Sequence, residues 1–194
     1  TGVQTCALLI WLPPVQDAAV SELLGRYDHD PLTSKLDYLP PDRTMPTTTS
    51  SSGDSVFDQK RRRLTRGAQK YASIRRMALE LVRRGGARSE ELAGVFSSLC
   101  PHLRIGGISG DNQLTLVRRS GRSVSLANAS SSEWEAFLLA ASMVVLGLHH
   151  SVVLYDTPER HVSGAEAARR LRALRGAFPT TQWIVATACE DVAT

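Results

Sequence analysis

The clearest periodicity lies in the middle of the chain. Tyr71, Ile74, Met77, Ala78 and Leu81 recur at steps of three and four, so one long helix over Val56–Arg84 carries them on a single apolar stripe. Gly85-Gly86 ends that helix, because glycine takes the left-handed cap conformation without a steric penalty. Ser89 then reads as the N-cap of a second helix, Glu90–Leu99, with Glu90 and Glu91 in its first turn. Beyond it Gln113–Arg118 alternates apolar and polar. Leu103–Ile108, Gln113–Arg118 and Ser123–Leu126, parted by Gly110-Asp111-Asn112 and Ser120-Gly121, predict a β-meander over 103–126. Ala129-Ser130-Ser131-Ser132-Glu133 opens a helix over 130–148. Ser151–Asp156 is an apolar run closed by an acid, the pattern of a buried parallel strand. Ser163 caps a helix over Gly164–Phe178, and Gln182–Thr187 reads as a second buried strand. Strand, helix, strand predicts a βαβ unit with parallel strands and a right-handed crossover. The class is therefore α/β: a parallel core preceded by a long helix and a small meander, with 56–194 as one domain.

Upstream the pattern weakens. Val15–Tyr27 can form a short helix, and Leu36–Leu39 a short strand ended by Pro40-Pro41. Thr44–Asp54 (TMPTTTSSSGD) has little that could pack a core and reads as a flexible loop, which makes 11–55 an irregular segment. Residues 1–10 (TGVQTCALLI) closely resemble the translation of a common sequencing adapter, with Leu9 where that translation has proline. They are set apart from the fold as an assembly scar, and the reading frame is expected to be cut at its 5′ end.

Composition narrows the function classes only slightly. The best apolar stretch, Ala136–Leu148, is too short to span a membrane. Cys6, Cys100 and Cys189 are odd in number and lack a CxxC spacing, which argues against a disulfide framework or a zinc site and for a cytoplasmic location. The net charge of +4 suits phosphate ligands or nucleic acid without requiring either. Two stretches concentrate it: Lys60, Arg61, Arg62, Arg63 and Arg66 on the long helix, and Arg169, Arg170, Arg172 and Arg175 on the outer face of the last helix. Each is either a solvated face or a nucleic-acid contact.

Two features carry candidate chemistry. Asp156 ends a buried strand, where a carboxylate meets the ligand crevice of an α/β sheet and can hold a magnesium ion. The plainer reading is a turn or capping acid. Ser130 to Glu133 begins a helix, whose free N–H groups and partial positive charge suit a phosphate. The plainer reading there is a capping box.

The order and spacing of these features resemble the C-terminal part of an ABC-type, AAA family ATPase of the SMC/RecF-like kind. SVVLYDTPE (Ser151–Glu159) is similar to its Walker B strand, and ASSSE (Ala129–Glu133) to its signature motif. DTPERH (Asp156–His161) is similar to the acidic run that follows Walker B, and WIVAT (Trp183–Thr187) to the strand leading to the switch histidine. LDYLPPDRTMP (Leu36–Pro46) more faintly resembles the strand and turn before the long helix. The resemblance implies a partial P-loop NTPase domain that binds ATP and Mg2+ and dimerises head to tail through the nucleotide. Asp156 would be the metal ligand, Ser130 would touch the γ-phosphate held by the second copy, and Ser131, Ser132 and Glu133 would be the other nucleotide-binding positions of the signature.

The chain departs from that pattern in four places. It contains no GxxxxGK(S/T) loop to cradle phosphates. Thr157 stands at the catalytic glutamate position, and a threonine hydroxyl is no general base near neutral pH. Glu159, two residues on, is the remaining candidate base. Ala188 stands at the switch histidine position, and Ser132 replaces the signature glycine. His161, the conspicuous local histidine, reads as a solvent-facing loop residue. These departures imply nucleotide binding with slow hydrolysis. The alternatives are a non-hydrolysing scaffold, or a nucleic-acid-binding module using the basic helix.

Overall fold

The structure, a computed structural model, describes residues 36–43 and 71–193. The expected adapter scar, the helix over Val15–Tyr27, the loop over Thr44–Asp54 and the basic half of the long helix lie outside the described residues. Within them the elements are β1 (Leu36–Leu39), α1 (Ala72–Arg84), α2 (Ala87–Leu99), β2 (Leu103–Ile108), β3 (Leu114–Arg118) and β4 (Ser123–Ser125). A 3₁₀ turn (Leu126–Asn128) leads into α3 (Ser131–Val145), β5 (Val152–Asp156), α4 (Gly164–Ala177), β6 (Gln182–Ala186) and α5 (Glu190–Ala193).

Two sheets result. β2, β3 and β4 form the expected antiparallel meander. β1, β5 and β6 form a parallel sheet with β5 in the middle, Leu39 beside Tyr155 and Asp156 beside Ala186. The βαβ unit β5–α4–β6 is thus present, and the short strand before Pro40-Pro41 completes the other side of β5.

The core is organised around α3. Every residue from Glu133 to Val145 is buried, so this helix is enclosed on all sides rather than amphipathic. Phe137 meets Phe96 of α2 edge to face at 6.1 Å and lies 5.8 Å from Trp134. Tyr71, Ile74 and Ala78 of the α1 stripe are buried in the same core, while Met77 and Leu81 pack at its margin.

Three expectations are corrected. α2 begins at Ala87 with Gly86 as its N-cap and no side-chain cap, so Ser89 lies inside the first turn. Gly85 and Gly86 both take positive φ, 67° and 80°. The chain reverses in two residues and the helix restarts at once. α3 stops at Val145, because Gly147 turns left-handed at φ 62° before Leu148 is reached. β6 is half-exposed rather than buried. Trp183 and Val185 face the core, but Ile184 on the other face of the pleat is 40% exposed. No described strand pairs with the outer edge of β6, and an open groove of about 710 Å³ runs along α4 and β6 past Phe178 and Trp183.

Among the described residues no helix is long and apolar enough to cross a membrane. Phe137→Ala should lower stability by about 3–5 kcal/mol, read as a reduced urea midpoint. A loss under about 1 kcal/mol would mean that α3 is not the centre of the core.

Candidate functional site

Asp156 closes β5 at the carboxyl edge of the parallel sheet. The Tyr38 hydroxyl donates to its Oδ2 at 2.9 Å, and the Thr157 hydroxyl donates to its Oδ1 at 2.9 Å. Each oxygen accepts one hydrogen bond from these hydroxyls and keeps a further lone pair, so the carboxylate is oriented yet still able to ligate a cation. Among the described residues no group of three or more His, Cys, Asp or Glu side chains could enclose a metal. A magnesium ion held here would take most of its shell from phosphate oxygens and water.

Thr157 follows in the left-handed region at φ 48°. For a β-branched residue this conformation is strained, by roughly 1–3 kcal/mol, and persists only where the surroundings impose it. Its N–H donates to the Ala186 carbonyl at 2.7 Å, and its own carbonyl accepts from Arg43 at 2.8 Å.

Arg43 is the organising residue. It is 1% exposed. Its Nε donates to Glu135 Oε1 at 2.6 Å, NH1 to the Pro40 and Asp156 carbonyls at 2.6 Å each, and NH2 to Thr157. The guanidinium lies 4.9 Å from the centre of the Tyr155 ring, within cation–π range. Glu135 is reached from the other side by Arg170, whose NH1 is 3.6 Å from Oε2. Arg170 also donates to the Ser132 hydroxyl at 2.8 Å and the Ser132 carbonyl at 3.1 Å. A buried chain of charge therefore runs from the end of β5 through Arg43, Glu135 and Arg170 to the first turn of α3.

This corrects the expected outer arginine face of α4. Arg170 is 3% exposed, and Arg169 is held by Glu166 at 2.7 Å and by the Ser98 and Leu99 carbonyls. Arg172 and Arg175 alone among the four are exposed. The Lys60–Arg66 stretch lies outside the described residues.

At the start of α3 the capping box is complete. Ser130 Oγ accepts from Glu133 N at 3.3 Å, and Glu133 Oε2 accepts from Ser130 N at 2.9 Å. The box leaves the N–H groups of Ser131 and Ser132 as first-turn donors at a positive helix end. Glu133 Oε1 also meets His102 at 3.3 Å and Arg118 at 3.2 Å. Burial alone would raise this carboxyl, but the bonds from Ser130 and His102 and the nearby Arg118 outweigh it and hold it below the usual carboxylate range.

Glu159 and Ala188 are brought together. Glu159 Oε2 accepts from the Thr187 hydroxyl at 2.9 Å and Oε1 from Ala188 N at 3.1 Å. The pair clamps the loop after β5 to the loop after β6. His161 is half-buried rather than solvent-facing, and its Nε2 is shielded from solvent.

Sequence reasoning passed over the organising residues. Arg43 was visible only as part of a turn, Arg170 as a surface charge, and Glu135 not at all. The signal was Glu135 itself, a carboxylate in an otherwise apolar run from Trp134 to Ala141, where a charge must find a partner.

No protein-family model and no curated protein matches the chain. Solved structures do match it. An SMC head bound to the C-winged helix domain of ScpA is 17% identical over 55% of this chain and 35% of its own length, with a TM-score of 0.44. An Smc head domain with a coiled coil and joint derived from Pyrococcus yayanosii is 15% identical over 55% of this chain and 22% of its own, with a TM-score of 0.41. A structure described under the ATP-driven dimerization and DNA stimulated activation of SMC ATPases is 16% identical over 60% of this chain and 76% of its own, with a TM-score of 0.44. The chain is similar to SMC heads, the class its motifs resemble. It spans about a third of the first structure and less than a quarter of the second.

Two outcomes follow from the geometry. Arg43→Met leaves Glu135 with Arg170 as its remaining ion-pair partner and should cost about 3 kcal/mol in a denaturant titration, since breaking a buried pair strands a charge; a cost near zero would remove Arg43 from its organising place. Glu133 has a lowered folded pKa, so its contribution is full above the ordinary glutamate value and is lost as pH falls through the lowered one. Stability measured from about pH 6 downward should therefore fall less steeply in Glu133→Gln than in the parent, and parallel acid limbs would contradict this.

Proposed function

We propose that this chain provides the metal-binding carboxylate and the phosphate-facing helix of an ATP-binding domain that dimerises around nucleotide and hydrolyses it slowly. The observation that carries the reading is the buried link from Asp156 and Thr157 through Arg43, Glu135 and Arg170 to Ser132. It joins one carboxylate with lone pairs to spare and one helix end with free donors into a single rigid frame. Asp156 holds Mg2+ directly or through water. Ser130, Ser131 and Ser132 offer the helix end to the terminal phosphate of ATP bound by a second copy. No GxxxxGK(S/T) stretch occurs in the 194 residues, so the reading assigns no phosphate cradle to them.

Slow turnover follows from the residues around Asp156. Thr157 donates its hydroxyl to Asp156 and cannot take a proton from water. Glu159 is turned to the loop after β6, where its oxygens accept from Thr187 and Ala188. Ala188 offers only a methyl group where the resembled family has histidine.

Anisotropy of a fluorescent ATP analogue, with and without Mg2+, tests the reading. Binding should depend on Mg2+ and weaken about tenfold or more in Asp156→Asn, with turnover below about 1 s⁻¹, under the usual enzyme range. Absence of binding at millimolar nucleotide, or binding unaffected by Asp156→Asn, would refute it.

A further inference from the structure

We propose that the meander carries a second anion site, a pocket for a terminal phosphate or pyrophosphate group, linked to the first turn of α3 through Glu133. The cavity is about 260 Å³ and lies where the end of α2 meets the β3–β4 turn, lined by Ser97, His102, Arg104, Arg118 and Arg119 among others. Arg119 N donates to the His102 carbonyl at 3.3 Å, which fixes two walls against each other, and Arg118 N closes the β3–β4 turn on the Arg122 carbonyl at 2.9 Å.

Charge selects the ligand. Three arginines and a histidine are among the lining residues, and no aspartate or glutamate is. Glu133, behind the lining, meets Arg118 and His102. Arg104 and Arg119 make no ion pair among the described residues and are exposed. Neutralising them takes about two negative charges in a small volume, which is what a phosphate group carries, and planar guanidinium forks match its oxygens. The neighbouring Cys100 does not compete as an anion: burial pushes its thiol up to about 11.

Size narrows the ligand further. Whole small-molecule sites run from about 300 Å³ upward, so this cavity admits a phosphate or pyrophosphate group and leaves any attached base or sugar outside.

The pocket shares two residues with the capping box. An anion that engages Arg118 and His102 draws them from Glu133 Oε1 and leaves that carboxylate its bond to Ser130 N. Anion binding and the Glu133 contact are therefore antagonistic. The effect on nucleotide binding rests on the function proposed above; occupation of the pocket does not.

Titration calorimetry of the full chain with pyrophosphate, in EDTA and at constant ionic strength, tests the site. EDTA removes the divalent ion that Asp156 would need, so this binding is read independently of the nucleotide reading. One equivalent should bind, and R104Q/R119Q should weaken binding about tenfold or more. Glu133→Gln should tighten it about threefold or more, because glutamine still completes a capping box while releasing Arg118 and His102. Competition by a 5′-phosphorylated oligonucleotide but not its hydroxyl-terminated twin would support the site and assign its phosphate to a strand end. Competition by neither would support it with a free phosphate compound as ligand. Equal competition by both would overturn the pocket in favour of a diffuse polyanion surface. Unchanged affinity in R104Q/R119Q, or no binding, would overturn the site, and unchanged affinity in Glu133→Gln would overturn its link to α3.

Discussion

Glu135 sits at 0% exposure in the middle of an otherwise apolar helix, where a carboxylate without a cation and hydrogen-bond donors is costly by several kcal/mol. Two elements distant in sequence supply the cations. Arg43 comes from the turn after β1, 92 positions away, and Arg170 from α4. Once both are committed to Glu135, little freedom is left. Arg43 must also satisfy its remaining donors, and it does so on Pro40, Asp156 and Thr157. Arg170 does so on Ser132 and Glu166. The helix, the parallel sheet and the covering helix are thereby tied at one point.

That point lies between the two halves of the candidate site. The carbonyls of Asp156 and Thr157 are pinned from one side by Arg43, and Thr157 N–H is pinned from the other by Ala186. A threonine held at φ 48° stores strain, and these three bonds hold it there. At the other end Arg170 grips Ser132 by carbonyl and hydroxyl. The serine in place of the resembled signature glycine is thus integrated into the frame. The same design holds the Asp156 carboxylate between the Tyr38 and Thr157 hydroxyls, with a further lone pair on each oxygen.

Local pattern revealed the elements because their signals are local. Alternation marked β3, Ser130 and Ser163 announced α3 and α4, and the apolar run before Asp156 announced β5. Errors fell where two local signals compete or where packing decides. Ser89 looked like a cap, but the paired glycines before it start the helix sooner. The run Trp183–Ala186 is apolar enough for a central strand, yet one face of β6 is uncovered. Positions of Asp156, Ser130 and Glu133 were legible as element ends. The bonds that unite them were not, since Arg43, Glu135 and Arg170 meet only through tertiary packing, and an arginine in a helix gives no sign of which way it turns.

If Arg43 and Glu135 form the tie described, loosening one end must loosen the other. Amide hydrogen exchange on Arg43→Met reads this directly, because Thr157 N–H at the end of β5 and Trp134 N–H in the first turn of α3 are both hydrogen-bonded. Exchange should accelerate about tenfold or more at both amides, with the distant meander amides of Leu116 and Val117 changing less. Acceleration at Thr157 alone, with Trp134 as protected as before, would show that the two halves of the site stand independently.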